Sequence, residues 1–288
     1  MDTTELLKKV RKIEIKTKGL SNHIFSGEYH SAFKGRGMSF SEVREYTFGD
    51  DVRTIDWNVT ARFSHPYVKV FEEERELTVM LLVDISKSAL FGSVQQTKRD
   101  LITEICAVLS FSAIHNHDKV GVVFFSNGIE KYIPPKKGSS HTLRIIRDLL
   151  SMEATRQGTD IAAALRFFNN AVKKKSIVFL LSDFFADRYE DALQIVARKH
   201  DLIGIHVYDP HEKELPAVGL VKMMDAETGE TLWLDTLDAQ VRKKYAAQFQ
   251  QHVQYCRNAF TRSGASLISI RTDEDYVRIL QGFFVRRI

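Results

Sequence analysis

Residues 78–92, TVMLLVDISKSALFG, run from an uninterrupted apolar stretch into Asp84, Ser86 and Ser88 at every second position. Where a strand gives way to an extended loop, alternate side chains point the same way, so one carboxylate and two hydroxyls can converge. Hard oxygen donors of this kind suit Mg²⁺ or Mn²⁺ and not zinc. The triplet alone is weak, because serine before a helix is also an ordinary N-cap. Two companions strengthen it: Thr159, after Gly158 at a helix start in RQGTDIAAAL, and Asp183, at the end of the apolar run SIVFLLSD.

Short apolar runs alternate with helical patterns from residue 77 onward, and these elements must position the five residues. The strand candidates are 77–84, 119–126, 176–183, 202–209 and 266–273. Their nearly continuous hydrophobicity is that of strands covered on both faces, which predicts an α/β, doubly wound, mainly parallel Rossmann-type sheet. Ligands of such sheets bind beyond the carboxyl ends of the strands, where Asp84 and Asp183 fall. Helical stripes are expected through Leu101, Ile105, Leu109 and Ala113, and through Val241, Tyr245, Phe249, Val253, Cys256 and Phe260, the second ended by Gly264. A last helix, N-capped by Thr272, should bury Val277, Leu280 and Phe284. Asn127-Gly128 signals a hairpin leading to an antiparallel edge strand at 129–133, and 211–235 contains a second hairpin signal. Residues 1–76 read as a small N-terminal annex and 77–288 as the main domain.

Taken in order on a β/α alternation, Asp84, Ser86, Ser88, Thr159 and Asp183 resemble the metal-ion-dependent adhesion site of von Willebrand factor A domains. The resemblance implies that Ser86 and Ser88 bind the metal directly, Thr159 directly or through water, and Asp84 and Asp183 mostly through water. It also implies strand order 3-2-1-4-5-6, with the first and fourth strands adjacent. Phe184 stands where glycine is common after the last aspartate. The annex segment FKGRGMSFSEVREYTFGDDVRTIDWNVTAR, followed by VKVFEEERELTVMLLVD, resembles the bacterial domain of unknown function 58 family. That likeness implies a partner: a MoxR-type AAA+ ATPase, or a client offering an Asp or Glu, in complex assembly or maturation. A cation held mainly by hydroxyls stays electrophilic and seeks an outside carboxylate, so the expectation is a non-enzymatic, chaperone-like adaptor.

Composition bounds the alternatives. The 288 residues are 44% hydrophobic, carry a formal charge of +4 and include two cysteines, Cys106 and Cys256, each on an apolar helix stripe. Thiols read as buried hydrophobes, an amino terminus without an apolar signal core and the lack of an 18-residue apolar window together lead to a cytoplasmic expectation without a membrane span. The basic stretch KKVRKIEIKTK leaves nucleic-acid binding as an alternative, but a solvated amphipathic helix is the better reading, since no nucleic-acid-binding signature accompanies it. A Mg-dependent phosphatase using Asp84 is the enzymatic rival, but the second aspartate its general acid needs is Ser86 here. No Walker loop, Gly-x-Ser-x-Gly or His-Glu-x-x-His occurs. His115, His117 and Asp118 read as a polar loop. Arg36, Arg44, Arg53 and Arg62 read as partners of nearby acidic residues, and Trp57 reads as an anchor between annex and main domain.

Overall fold

The computed structural model describes residues 11, 13, 38–73, 77–94, 96–225 and 229–287. Arg36 and nearly all of the basic stretch 8–18 lie outside the described residues.

Six strands form the central sheet: β3 (Thr78–Asp84), β4 (Lys119–Phe125), β5 (Ile129–Lys136), β6 (Ile177–Ser182), β7 (Asp201–Tyr208) and β10 (Ser266–Arg271). Their order, β10-β7-β6-β3-β4-β5, is the expected 3-2-1-4-5-6 read from the other edge. Every pairing is parallel except β4 with β5, the hairpin expected at Asn127-Gly128. Every residue of β3 and β6 is buried, as the continuous apolar runs require of strands covered on both faces. The topology is von Willebrand factor A-like.

Helices cover both faces. Against one lie α2 (Lys98–His115), α3 (Ser139–Ser151) and α8 (Tyr276–Val285); against the other lie α4 (Ile161–Ala171), α5 (Glu190–Lys199) and the long α7 (Ala239–Ser263). Gly264, at φ 73°, ends α7 in the left-handed conformation that glycine adopts without steric cost. Thr272 does not cap α8. Asp275 does, accepting from the Val277 and Arg278 N–H groups, while the buried Thr272 hydroxyl donates to Asp209. Cys106 and Cys256 are free and buried.

Two smaller pieces complete the described chain. In the annex, β1 (Met38–Glu45) pairs antiparallel with β2 (Tyr67–Glu73), and α1 (Trp57–Phe63) lies between them in sequence. Arg44 makes a bidentate pair with Asp50, and Arg53 pairs with Asp51, as the local charge pattern suggested. Trp57 is 70% exposed, which corrects its reading as an anchor. A short helix, α6 (Pro210–Lys213), follows β7, and β8 (Leu220–Met224) pairs with β9 (Thr231–Asp235) as the second hairpin. In the α2–β4 connection the buried Asp118 accepts from the Leu77 N–H at 2.8 Å, so this loop fastens the start of β3.

Candidate metal centre

Parallel pairing of β3 with β6, which sets Val83 beside Leu181, brings the carboxyl ends of both strands together at the switch point of the sheet. Asp84 ends β3 and is 2% exposed. One of its carboxylate oxygens accepts from the Ser86 N–H at 2.9 Å and the other from the Ser182 hydroxyl at 2.6 Å. The Ser86 and Ser88 hydroxyls lie 3.0 Å apart, and Ser88 in turn bonds to Asp183. Four of the five expected residues are therefore joined in one hydrogen-bonded cluster.

Thr159 is the fifth. It precedes Asp160, whose side chain caps α4 and whose N–H donates to the Ser126 carbonyl just beyond β4. Because β4 neighbours β3, this places Thr159 at the same end of the sheet. It takes no part in the hydrogen bonds that join the other four.

Asp183 faces an unexpected partner. The Lys98 ammonium donates to Asp183 Oδ2 at 2.6 Å and to Glu212 Oε1 at 2.5 Å, and the lysine is only 1% exposed. Lys98 is the first residue of α2, after the N-cap Thr97, and its backbone N–H closes a loop onto the Phe91 carbonyl. Glu212 sits in α6, where its other oxygen accepts from the Asp209 N–H at 2.8 Å. Asp183 Oδ1 accepts from the Phe185 N–H at 3.2 Å, and the Asp183 carbonyl accepts from His252. The His252 ring stacks on Phe185 with centroids 4.0 Å apart.

The two aspartates are electrostatically unlike. Burial and the neighbouring Asp183 charge push the Asp84 carboxyl up to about 7. Burial also opposes ionisation of Asp183, but the Lys98 ammonium outweighs it and holds this carboxyl below its ordinary range. Phe184, directly after Asp183, has φ 59°, the left-handed region where glycine is usual. Its ring is held there by full burial, edge-on to Phe260 at 5.3 Å.

These residues fit a small, hard divalent cation. Two buried carboxylates that repel each other, linked through the Ser86 N–H and the Ser86 and Ser88 hydroxyls, mark a place where positive charge is favoured. Ser86 and Ser88 would hold Mg²⁺ or Mn²⁺, with Asp84 and Asp183 behind them and Thr159 at the rim. When bound, the cation supplies a Lewis-acidic coordination position for an external oxygen ligand. Among the described residues no group of three or more His, Cys, Asp or Glu side chains is placed to bind a metal, His115, His117 and Asp118 included. A cation here would depend on the hydroxyls. Sequence reasoning missed Ser182, Lys98, Glu212 and His252; Ser182 alone carried a signal, as a hydroxyl at a strand end beside Asp183.

The doubly wound sheet, with strand order 3-2-1-4-5-6, has a von Willebrand factor A-like fold. The family described as "Protein of unknown function DUF58" matches residues 42–255, and the chain belongs to it. The uncharacterised protein Rv1480 of Mycobacterium tuberculosis is 29% identical over 290 residues, covering 100% of this chain and 91% of its own. Among solved structures, the conserved hypothetical protein BatB from Bacteroides thetaiotaomicron superposes with a TM-score of 0.49 at 17% identity, covering 73% of this chain and 96% of that one. Proximal thread matrix protein 1 from the mussel byssus, with a zinc-occupied MIDAS motif, gives a TM-score of 0.36 at 21% identity, over 46% of this chain and 38% of that one.

Proposed function

We propose that this chain is a non-enzymatic adaptor that binds Mg²⁺ or Mn²⁺ at the Asp84–Ser86–Ser88–Asp183 cluster and offers the cation to a carboxylate of a partner protein. The observation that carries this reading is the Ser86–Ser88 hydroxyl pair, 3.0 Å apart, linked to Asp183 through the Ser88 hydroxyl and to Asp84 through the Ser86 N–H. Hydroxyl ligands leave the cation's charge largely unquenched, so an outside Asp or Glu completes its coordination. The surroundings support a protein partner over a small substrate. Leu90 and Phe91, shortly after Ser88 in the loop that follows β3, and Phe185, shortly after Asp183, are exposed apolar side chains on the loops that carry the cluster, of the kind that help seal a docked charge from water. The partner implied by the family resemblance is a MoxR-type AAA+ ATPase or its client, in complex assembly or maturation. No helix among the described residues is long and apolar enough to cross a membrane, and we place the adaptor in the cytoplasm.

Calorimetric titration of the chain with MgCl₂ and MnCl₂ tests the reading. Binding is expected in wild type and lost in Ser86→Ala and Ser88→Ala, with thermal stability in chelator lowered by no more than about 1 kcal/mol, the worth of the hydroxyl hydrogen bond that each removes. Undiminished affinity in both variants would place any cation elsewhere. Phosphatase turnover abolished by Asp84→Asn would replace the adaptor with the enzymatic alternative.

A further inference from the structure

Lys98 is the strongest feature that the adaptor reading does not use. A buried lysine ammonium is costly unless it is paired, and this one is held between Asp183 and Glu212 at 2.6 and 2.5 Å. Its surroundings are built to keep it there. The Lys98 N–H is fixed to the Phe91 carbonyl, and Gly92 lets the loop close: a Cβ at that position would lie 2.6 Å from the Gln96 carbonyl oxygen. Glu212 is fixed through a reciprocal capping box with Asp209. Asp209 in turn accepts from the Ser93 N–H in the same loop at 2.8 Å. The ammonium is thus anchored from both sides.

The charge balance gives this arrangement a meaning. With Asp84 ionised, Asp84, Asp183 and Glu212 set three negative charges against the one ammonium, and the two left over are what one divalent cation cancels; Asp209, the next carboxylate, is held apart by the Ser93 and His211 N–H groups and the Thr272 hydroxyl. With the ammonium on Asp183 Oδ2, that carboxylate is kept from direct ligation and the field at the cation is reduced.

We infer that Lys98, positioned by Glu212, is a built-in counter-charge that weakens the site's hold on its divalent cation and thereby keeps the cation reactive toward an external carboxylate. This deepens the adaptor reading and rests on it. Lys98 is a positioning residue, and its removal acts in a direction that a merely structural role does not produce. Lys98→Met frees Asp183 to turn to the cation, so affinity for Mn²⁺ should tighten by about tenfold or more, the scale of one unit charge removed from a partly buried site. Glu212→Gln leaves the ammonium with Asp183 alone and makes the site one charge more positive, so affinity should weaken by a similar factor.

The experiment is calorimetric titration with MnCl₂ of the full chain as wild type, Lys98→Met, Glu212→Gln and Ser86→Ala, each first melted in chelator to establish folding. Opposite shifts for the two ion-pair variants support the counter-charge. If both weaken binding, or neither changes it, the inference is overturned while the adaptor reading stands. If Ser86→Ala binds Mn²⁺ like wild type, the adaptor reading itself has failed. Should Lys98→Met not fold, Glu212→Gln decides alone: affinity equal to or tighter than wild type overturns the counter-charge.

Discussion

Asp84→Asn offers the most direct physical test of the cluster, because it removes a titration without removing volume. Burial and Asp183 raise the Asp84 carboxyl to about 7, against about 3.9 for a free aspartate, a difference worth about 4 kcal/mol at 1.36 kcal/mol per unit. The native state keeps a proton that the unfolded chain releases between these values. The contribution is therefore fully present below about pH 4, declines as pH rises, and is flat above about 7. Buried His206 and His200 act in the opposite sense. Burial lowers them to about 3 and about 4 respectively, so their contribution is lost as pH falls below about 6.5. The raw wild-type profile thus mixes two signs, and the useful quantity is the difference between variant and wild type. Urea unfolding in chelator at pH 5, 6, 7 and 8 should show Asp84→Asn gaining on wild type by about 2–3 kcal/mol from pH 5 to pH 8. Saturating Mg²⁺ should erase the gain, because the cation favours the ionised carboxylate. A pH-independent difference in chelator would refute the reasoning, since Asp84 would then be ionised without penalty beside Asp183.

Three further outcomes follow from the packing. Gly204→Ala puts a Cβ 2.4 Å from a ring carbon of Phe260 and 2.8 Å from Leu267 Cδ1, and overpacking of this kind should destabilise by about 1–3 kcal/mol, read by thermal melting. Phe184→Ala should cost about 3–5 kcal/mol through the lost ring; Phe184→Gly should be no worse, because at φ 59° glycine escapes the strain that alanine retains, and a Gly variant less stable than Ala by 1 kcal/mol would exclude that strain. Asp118→Ala removes the buried acceptor of the partly buried Leu77 N–H and should cost about 1–2 kcal/mol in denaturant unfolding, with Mn²⁺ affinity unchanged because the substitution lies at the opposite end of β3.

The sheet was legible because buried parallel strands write their burial as continuous hydrophobicity, and β3, β6 and β7 follow that pattern. Asp84, Ser86 and Ser88 were legible because alternate spacing after a strand is local geometry. Lys98 was not. A lysine at the first turn of a helix reads as a solvated charge, and its burial depends on Asp183 and Glu212, which are 85 and 114 residues away in sequence. The cap of α8 illustrates a smaller ambiguity: Thr272 and Asp275 are both good N-cap types, and tertiary contact with Asp209 claims the threonine. Trp57 failed as an anchor because a large aromatic in a small annex does not by itself say which way its ring faces.

The neighbourhood of β3 and β6 has a kinetic consequence. Ser182 and Asp84, which bond across these strands, are separated by 98 residues, whereas β4 and β5 meet through a short turn. Closing the longer loop costs more chain entropy and tends to come later, after local hairpins and helices have formed. Until then Asp84 and Asp183 have no common environment, and nothing can bind them together. A ligand of this cluster cannot serve as a nucleus for folding; its effect belongs on the unfolding rate, slowing the loss of a sheet whose central seam it holds closed.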